Sequence, residues 1–295
     1  MSYLGWNYNG LQRQEITKNT VVEKLVEALV RARLVEDNNV RIHLCGRTDK
    51  GVSAYSQVIS LKIRSNLSED IGIYPESGCF KKETSQEKEE IDYPLVLNKI
   101  LPDDIRILAW AKVPLEMHAR YSCKGRSYYY YLPFADIDLK TMSEACSKLV
   151  GVHDFRNFCT YQVQNGVTNH TREIYRVELQ NVDNKPLDLS KETLPDDFFM
   201  IFIEAKSFLY HQIRSIVTYL LLIGKGLEEP SLIDDLLDVE KFPAKPQFTM
   251  AADFPLLFYD CQFDNLNWNL SQYASTELLK HFQNLYNEQE IKYAF

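Results

Sequence analysis

The chain has 295 residues, of which 45% are hydrophobic and 25% are charged, so it can form one large core or two cores of medium size. No apolar run approaches the roughly 20 residues that cross a bilayer, and the start, Met1-Ser2-Tyr3-Leu4, lacks the charged-then-apolar order of a secretory signal. These features exclude membrane and secreted proteins and predict a soluble intracellular protein of the cytoplasm or nucleus.

The net charge of −8 argues at first against a nucleic-acid partner, because phosphate contacts require Lys and Arg. Its distribution weakens that objection: residues 1–64 contain ten Lys or Arg and six Asp or Glu, whereas residues 227–240 contain six acids and no base. One face can therefore attract RNA while another repels it. The alternative is that each segment is only a solvated charged surface.

Cysteine and histidine spacing gives no metal-binding pattern. The six cysteines contain no Cys-x-x-Cys pair, and the six histidines are scattered. We expect the cysteines to be reduced and mostly buried. No metal site and no cofactor is predicted.

The first half of the chain predicts two helices and four strands. Thr20-Val21-Val22-Glu23 has the form of a capping box, and an apolar stripe follows it. A polar stretch at residues 70–92 predicts a surface insertion. The predicted elements are a helix at 20–34, strands at 41–45 and 55–63, a helix at 93–101, and strands at 105–113 and 127–133.

The second half continues the mixture of strands and helices. The predicted elements are a helix at 141–150, strands at 172–180 and 198–205, an apolar helix from 207 to 224, a strand at 256–263 and a helix at 271–286. This order is typical of an α+β protein with helices over one face of a sheet. Two ferredoxin-like halves are expected, at residues 1–115 and 116–295.

One short connection combines opposite charges with two glycines. Gly46 and Gly51 bound a turn that carries Arg47 and Asp49 between two predicted strands, so both side chains can be presented to a ligand. A plain polar hairpin turn is the alternative. A phosphate-binding P-loop is excluded, because Gly51 precedes Val52 and a strand rather than Lys, Ser or Thr and a helix.

A guanidinium stands out in the apolar helix of the second half. Burial of the Arg214 guanidinium is unfavourable unless it meets a carboxylate or another acceptor. Asp49 is a suitable partner, because the arginine would keep its carboxylate ionised. The alternatives are a narrow solvated strip shared with Gln212 and Ser215, or pairing with a structural acid.

Four consecutive tyrosines lie on one predicted strand, so Tyr128 and Tyr130 face one side and Tyr129 and Tyr131 the other. Such side chains either pack in a core or stack on an extruded base. Periodicity alone favours core packing.

These patterns together resemble the TruA family of tRNA pseudouridine synthases, and several segments resemble its eukaryotic Deg1 branch. The segments that carry the resemblance are Tyr3-Leu4-Gly5-Trp6-Asn7-Tyr8-Asn9-Gly10, Cys45-Gly46-Arg47-Thr48-Asp49-Lys50-Gly51-Val52-Ser53-Ala54, Arg126-Ser127-Tyr128-Tyr129-Tyr130, His153-Asp154-Phe155-Arg156-Asn157-Phe158, Phe208-Leu209-Tyr210-x-x-Ile213-Arg214 and Phe254-Pro255-Leu256-Leu257-Phe258-Tyr259-Asp260-Cys261. The resemblance implies a mostly antiparallel mixed sheet with a central cleft. It also implies cofactor-independent conversion of uridine to pseudouridine at tRNA positions 38 and 39, and a homodimer.

The resemblance assigns a role to each site residue. Asp49 is the essential carboxylate, Arg214 holds it, and Tyr128 contacts the base. Arg47 occupies the space left by the flipped nucleotide, and the remaining RNA contacts are Lys50, Arg120, Lys124, Arg126 and Arg172. Two alternatives remain open: the same reaction at other tRNA uridines, and a tRNA-binding or chaperone module without turnover. A third alternative, an unrelated small-molecule enzyme, would require a cofactor or metal signature, and this sequence shows none.

Overall fold

A computed structural model describes residues 1–67, 71–73, 89–133, 136–161, 167–189 and 198–294. Most of the insertion predicted at residues 70–92, and Cys79 within it, lies outside this part. The strands are β1 (Ser2–Tyr3), β2 (Ile42–Leu44), β3 (Ser53–Ala54), β4 (Ile59–Leu61), β5 (Ile105–Arg106), β6 (Ala109–Trp110), β7 (Gly125–Pro133), β8 (Gly151–Asp154), β9 (Thr171–Gln180), β10 (Phe198–Ala205), β11 (Leu256–Gln262) and β12 (Asn269–Leu270). The helices are α1 (Val21–Arg31), α2 (Tyr93–Asn98), α3 (Leu139–Lys148), α4 (Gln212–Gly224), α5 (Ser231–Leu237) and α6 (Gln272–Ala294).

The chain forms two compact units. One contains Met1–Cys123 and Phe263–Phe295, and the other contains Lys124–Gln262. Residues 263–295 therefore group with the amino-terminal part of the chain, whereas the sequence-based division assigns them to the carboxy-terminal half. The division at residue 115 stays a prediction.

The first unit combines short strands with α1, α2 and α6. Strands β5, β1 and β3 pair in that order, and β2–β4 and β12–β6 form two further antiparallel pairs. At the start of α1 the Thr20 hydroxyl accepts a hydrogen bond from the Glu23 amide at 3.3 Å, as the predicted cap requires. The Glu23 carboxylate pairs with Arg13 at 2.5 Å. The apolar stripe of α1 is buried as predicted.

The second unit is built on a five-stranded antiparallel sheet in the order β11-β7-β10-β9-β8. Its strand β10 is buried along most of its length. Strands β7 and β9 flank it, and helix α3 packs against β9 and α4. Five described cysteines are buried, as expected. The α+β class is confirmed.

Several predicted boundaries are wrong for local physical reasons. The strand expected at 55–63 is only Ile59–Leu61, and the strand expected at 105–113 is two short strands. Helix α4 begins at Gln212 instead of 207, because His211 has a φ of 62° in the left-handed region, which a right-handed helix cannot contain. The acidic helix α5 was not predicted at all.

Every helix in the described ranges is too short or too polar to cross a membrane. Within the same ranges, His, Cys, Asp and Glu form no group of three or more that could hold a metal ion.

Candidate active site

In the first unit, residues 46–52 form the connection between β2 and β3 that carries Asp49. The Asp49 carbonyl accepts a hydrogen bond from the Val52 amide at 3.2 Å, and Gly51 has a φ of +79°. A positive φ at the third residue is the requirement of a type II turn, which glycine meets without strain. Asp49 is partly buried while Arg47 and Lys50 are exposed, so one loop presents two cations and one carboxylate.

A second segment, residues 3–10, contacts this loop through backbone hydrogen bonds and close packing, and we refer to it as the brace. The Gly51 amide donates to the Tyr8 carbonyl at 3.3 Å, and the Leu11 amide, just beyond the brace, donates to the Thr48 carbonyl at 3.1 Å. Position 5 requires glycine, because a Cβ atom there would lie 1.9 Å from the Val52 carbonyl oxygen. The brace therefore fixes the backbone on both sides of Asp49.

Buried side chains hold the remaining parts of the loop. The hydroxyls of Tyr3 and Thr48 share a hydrogen bond of 2.6 Å, and burial raises the pKa of Tyr3. The Gln57 side chain accepts from the Gly46 amide at 3.3 Å and donates to the Gly46 carbonyl at 2.9 Å. Because these partners are packed in the core, Asp49 lies on a pre-organised backbone.

In the second unit, Tyr128 lies on β7 with 7% of its surface exposed. Its ring makes edge-to-face contacts with Phe208 and Phe258, with centroid separations of 5.2 and 5.0 Å. The predicted alternation holds, because Tyr129 packs with the buried pair Met200 and Phe202. Only Tyr131 of the four tyrosines is exposed, so the strand contributes to packing on both faces.

Arg214 lies in the first turn of α4. Its Nε donates to the Ala251 carbonyl at 2.8 Å, and the Ala251 amide donates to the Thr218 hydroxyl at 2.8 Å. The next carbonyl, that of Ala252, accepts from the Tyr130 hydroxyl at 3.0 Å. Burial raises the pKa of Tyr130 to about 12, while the positive charge of Arg214 opposes the rise. Arg214 therefore helps to fix residues 251–252 as well as carrying charge.

The solvated-strip interpretation of Arg214 is wrong, because Gln212 and Ser215 are both fully buried. Pairing between Arg214 and Asp49 stays a prediction.

The remaining cations predicted to contact RNA differ in their surroundings. Arg120 is exposed, with its guanidinium 5.7 Å from the Tyr121 ring centroid, and Lys124 is exposed. Arg126 is buried and donates to the Lys206 carbonyl at 2.5 Å. Arg172 donates to the carbonyls of Asn169 and Thr171. Arg120 and Lys124 thus have the accessibility that phosphate contacts require, whereas Arg126 also ties β7 to the chain after β10.

Sequence reasoning missed the residues that act through contacts distant in the chain. Gln57 falls within the strand predicted at 55–63, and nothing in the sequence indicates that its amide holds Gly46 across 11 residues. Lys245 lies in an irregular proline-containing connection, yet its ammonium contacts α4. His211 lies at an unspecified position of the Phe208-to-Arg214 motif, and nothing in the sequence indicates its positive φ.

The chain is similar in sequence to several known proteins. A family model described as tRNA pseudouridine synthase matches residues 145–264. The tRNA pseudouridine(38/39) synthase of Homo sapiens is 45% identical over 99% of this chain and 60% of its own length. The probable tRNA pseudouridine synthase tag-124 of Caenorhabditis elegans is 37% identical over 92% of this chain and 68% of its own length.

An archaeal relative, tRNA pseudouridine synthase A of Archaeoglobus fulgidus, is 32% identical over 93% of this chain and 86% of its own length. The chain spans about 60% of the length of the mammalian relatives that it matches. Similarity of this extent, together with the loop that presents Asp49, assigns the chain to a family. It belongs to the TruA family of tRNA pseudouridine synthases.

Proposed function

We propose that this protein is a tRNA pseudouridine synthase that converts uridines 38 and 39 of the anticodon stem-loop. The observation that carries the proposal is 45% identity over 99% of the chain to a tRNA pseudouridine(38/39) synthase. The braced loop supports the same reading, because it presents a partly buried carboxylate between two exposed cations. A loop that served only as a hairpin turn would not need this support.

The reaction is an isomerisation, so no atom is gained or lost. The bond between C1′ and N1 of uridine breaks, a bond between C1′ and C5 forms, and the C5 proton moves to N1. Asp49 is the carboxylate of this reaction. It can begin the reaction by attack on C1′, by attack on the base, or by removing a sugar proton. All three routes balance without a metal or a cofactor.

The other site residues position the nucleotide. Arg47 occupies the space that the flipped uridine leaves in the RNA, and Tyr128 contacts the extruded base. Arg214 holds the Asp49 carboxylate in its ionised form. The exposed cations Lys50, Arg120 and Lys124 contact phosphates, together with Arg126 and Arg172.

The partner is tRNA, and we infer a homodimer whose joint surface holds it. An intracellular site of action, in the cytoplasm or the nucleus, follows from a tRNA substrate. Phosphate contacts by the cations of residues 1–64 outweigh the general repulsion expected from a net charge of −8.

The first test is conversion of an anticodon stem-loop transcript, without added metal, followed by carbodiimide labelling and primer extension. Pseudouridine has the mass of uridine, so a chemical label is required. Wild-type protein should give a stop at positions 38 and 39. Asp49→Ala should lower the rate by about 10²–10⁴-fold or more while keeping RNA affinity within a few-fold.

Asp183→Ala is the matched control, because Asp183 is an exposed acid of the other unit whose carboxylate lies 3.9 Å from Lys185. It should retain wild-type rate. A stop at another uridine would keep the enzyme and reject positions 38 and 39. Binding of full-length native tRNA without any product would favour the non-catalytic module.

A further inference from the structure

The ammonium group of Lys245, in the second unit, lies in a site that supplies only neutral acceptors. Its Nζ donates to the Cys159 carbonyl at 3.1 Å and to the Ser215 hydroxyl at 3.0 Å, and it lies 4.8 Å from the centroid of the Phe248 ring. Burial lowers the pKa of Lys245. Across the described ranges, no carboxylate contacts this ammonium. A partly buried cation without a counter-charge is unfavourable.

Two further sources of positive potential adjoin Lys245. Ser215 is the fourth residue of α4, and the amino terminus of a helix carries positive potential that disfavours a cation. Burial, followed by the charges of Arg214 and Lys245, lowers the pKa of His211 to about 4. His211 therefore stays neutral near pH 7, and the two cations define an electropositive corner at the start of α4.

The same turn contains a donor without an acceptor. Gln212, the first residue of α4, is fully buried. Its Oε1 accepts from the Leu209 amide at 2.7 Å, whereas its Nε2 has no partner among the described residues. Buried amide groups are nearly always paired, so this turn lacks an acceptor as well as a negative charge.

We propose that Lys245 and the first turn of α4 bind a phosphate group of the RNA backbone. A phosphate supplies both the charge and the acceptor oxygens that the corner lacks, and helix amino termini favour such anions. The proposal rests on the proposed function, because RNA is the ligand that it names. Free phosphate or a nucleotide offers the same chemistry and is separated below.

Lys245→Met is the informative variant, and Lys241→Met is its control. Lys241 is an exposed lysine of the same unit, paired with Asp235 at 2.5 Å. Affinity for the stem-loop is measured at several KCl concentrations. Loss of one phosphate contact should reduce the slope of log K against log salt by about 0.7–0.9. The affinity defect of Lys245→Met should thus shrink about threefold between 50 and 200 mM KCl.

A purely structural lysine would give a different result. Its removal would lower the melting temperature and leave the salt slope unchanged, and that outcome would overturn the proposal. Lys245→Arg retains the charge and should retain the slope. Lys245→Gln, which also removes the charge, replaces Lys245→Met if that variant does not fold. Lys241→Met should match the wild type in both measurements.

A second measurement distinguishes failure of the phosphate site at Lys245 from failure of the proposed function. Inorganic phosphate should raise the melting temperature of the wild type more than that of Lys245→Met, even if the protein binds no RNA. In that case the proposed function fails, and free phosphate becomes the ligand of the corner. Equal phosphate effects together with equal salt slopes would exclude the anion site, whatever the conversion assay shows.

Discussion

At the scale of single residues, Gly5 shows how closely the brace approaches the loop that carries Asp49. A methyl group at this position would meet a backbone oxygen of Val52 rather than a side chain that can rotate away. Relief of this steric clash therefore requires movement of the backbone that carries Asp49. A displacement of a reacting group by about 1 Å is enough to lower the reaction rate.

We predict that Gly5→Ala lowers kcat more than it lowers RNA affinity. Gly224→Ala is the matched control, because its added Cβ would lie 2.6 Å from the Met142 side chain in the other unit. Both variants should melt at a lower temperature, and kcat per folded molecule should fall only for Gly5→Ala. Equal kcat values in the two variants would show that the brace does not set the loop geometry.

At the scale of elements, two residues of helix α4 make hydrogen bonds to the backbone of Ala251. Arg214 binds the carbonyl of Ala251, and Thr218 binds its amide. Thr218 also donates to the Arg214 carbonyl at 2.9 Å. The structural contribution of Arg214 can therefore be separated, through Thr218, from the role in turnover that we propose for it.

Thr218→Val should destabilise the protein by about 1–3 kcal/mol, because it leaves the buried Ala251 amide without an acceptor. Its kcat should stay within a few-fold of wild type, since the guanidinium is retained. Arg214→Met should lose both stability and turnover. Urea denaturation and the conversion assay measure the two effects; full activity in Arg214→Met would contradict the assigned role of this arginine.

Sequence reasoning succeeded where an element has a long local pattern. Strands β9 and β10 were predicted within one residue, because each has eight or more residues of clear strand character. It failed at the two-residue strands and at α5, in which Ile233 and Leu236 are the buried residues. The family was recognisable from the sequence string around Asp49, whereas the role of that loop stays a prediction. The brace, Gln57 and Lys245 were not recognisable, since they act through contacts between distant segments.

At the scale of the whole molecule, His211 links stability to pH. Its folded pKa of about 4 lies below the usual value of 6.5, so the unfolded chain binds more protons between these two values. Stability from this group is complete above pH 6.5 and is lost as the pH falls towards 4.

His211→Asn should therefore flatten the dependence of melting temperature on pH between 6.5 and 4. Asparagine tolerates the left-handed conformation at this position and does not titrate. Melting scans of both proteins at half-unit pH steps measure the difference. Parallel curves over this window would show that His211 is not held neutral in the folded protein.

The brace and the loop that carries Asp49 are separated by about 40 residues of chain but share backbone hydrogen bonds on both sides of Asp49. The loop consequently has little stability of its own before residues 3–10 dock. The amide protons of Leu11 and Gly51 should exchange with solvent as one cooperative unit. Any change that frees the first ten residues would then displace Asp49 without altering a residue of the loop itself.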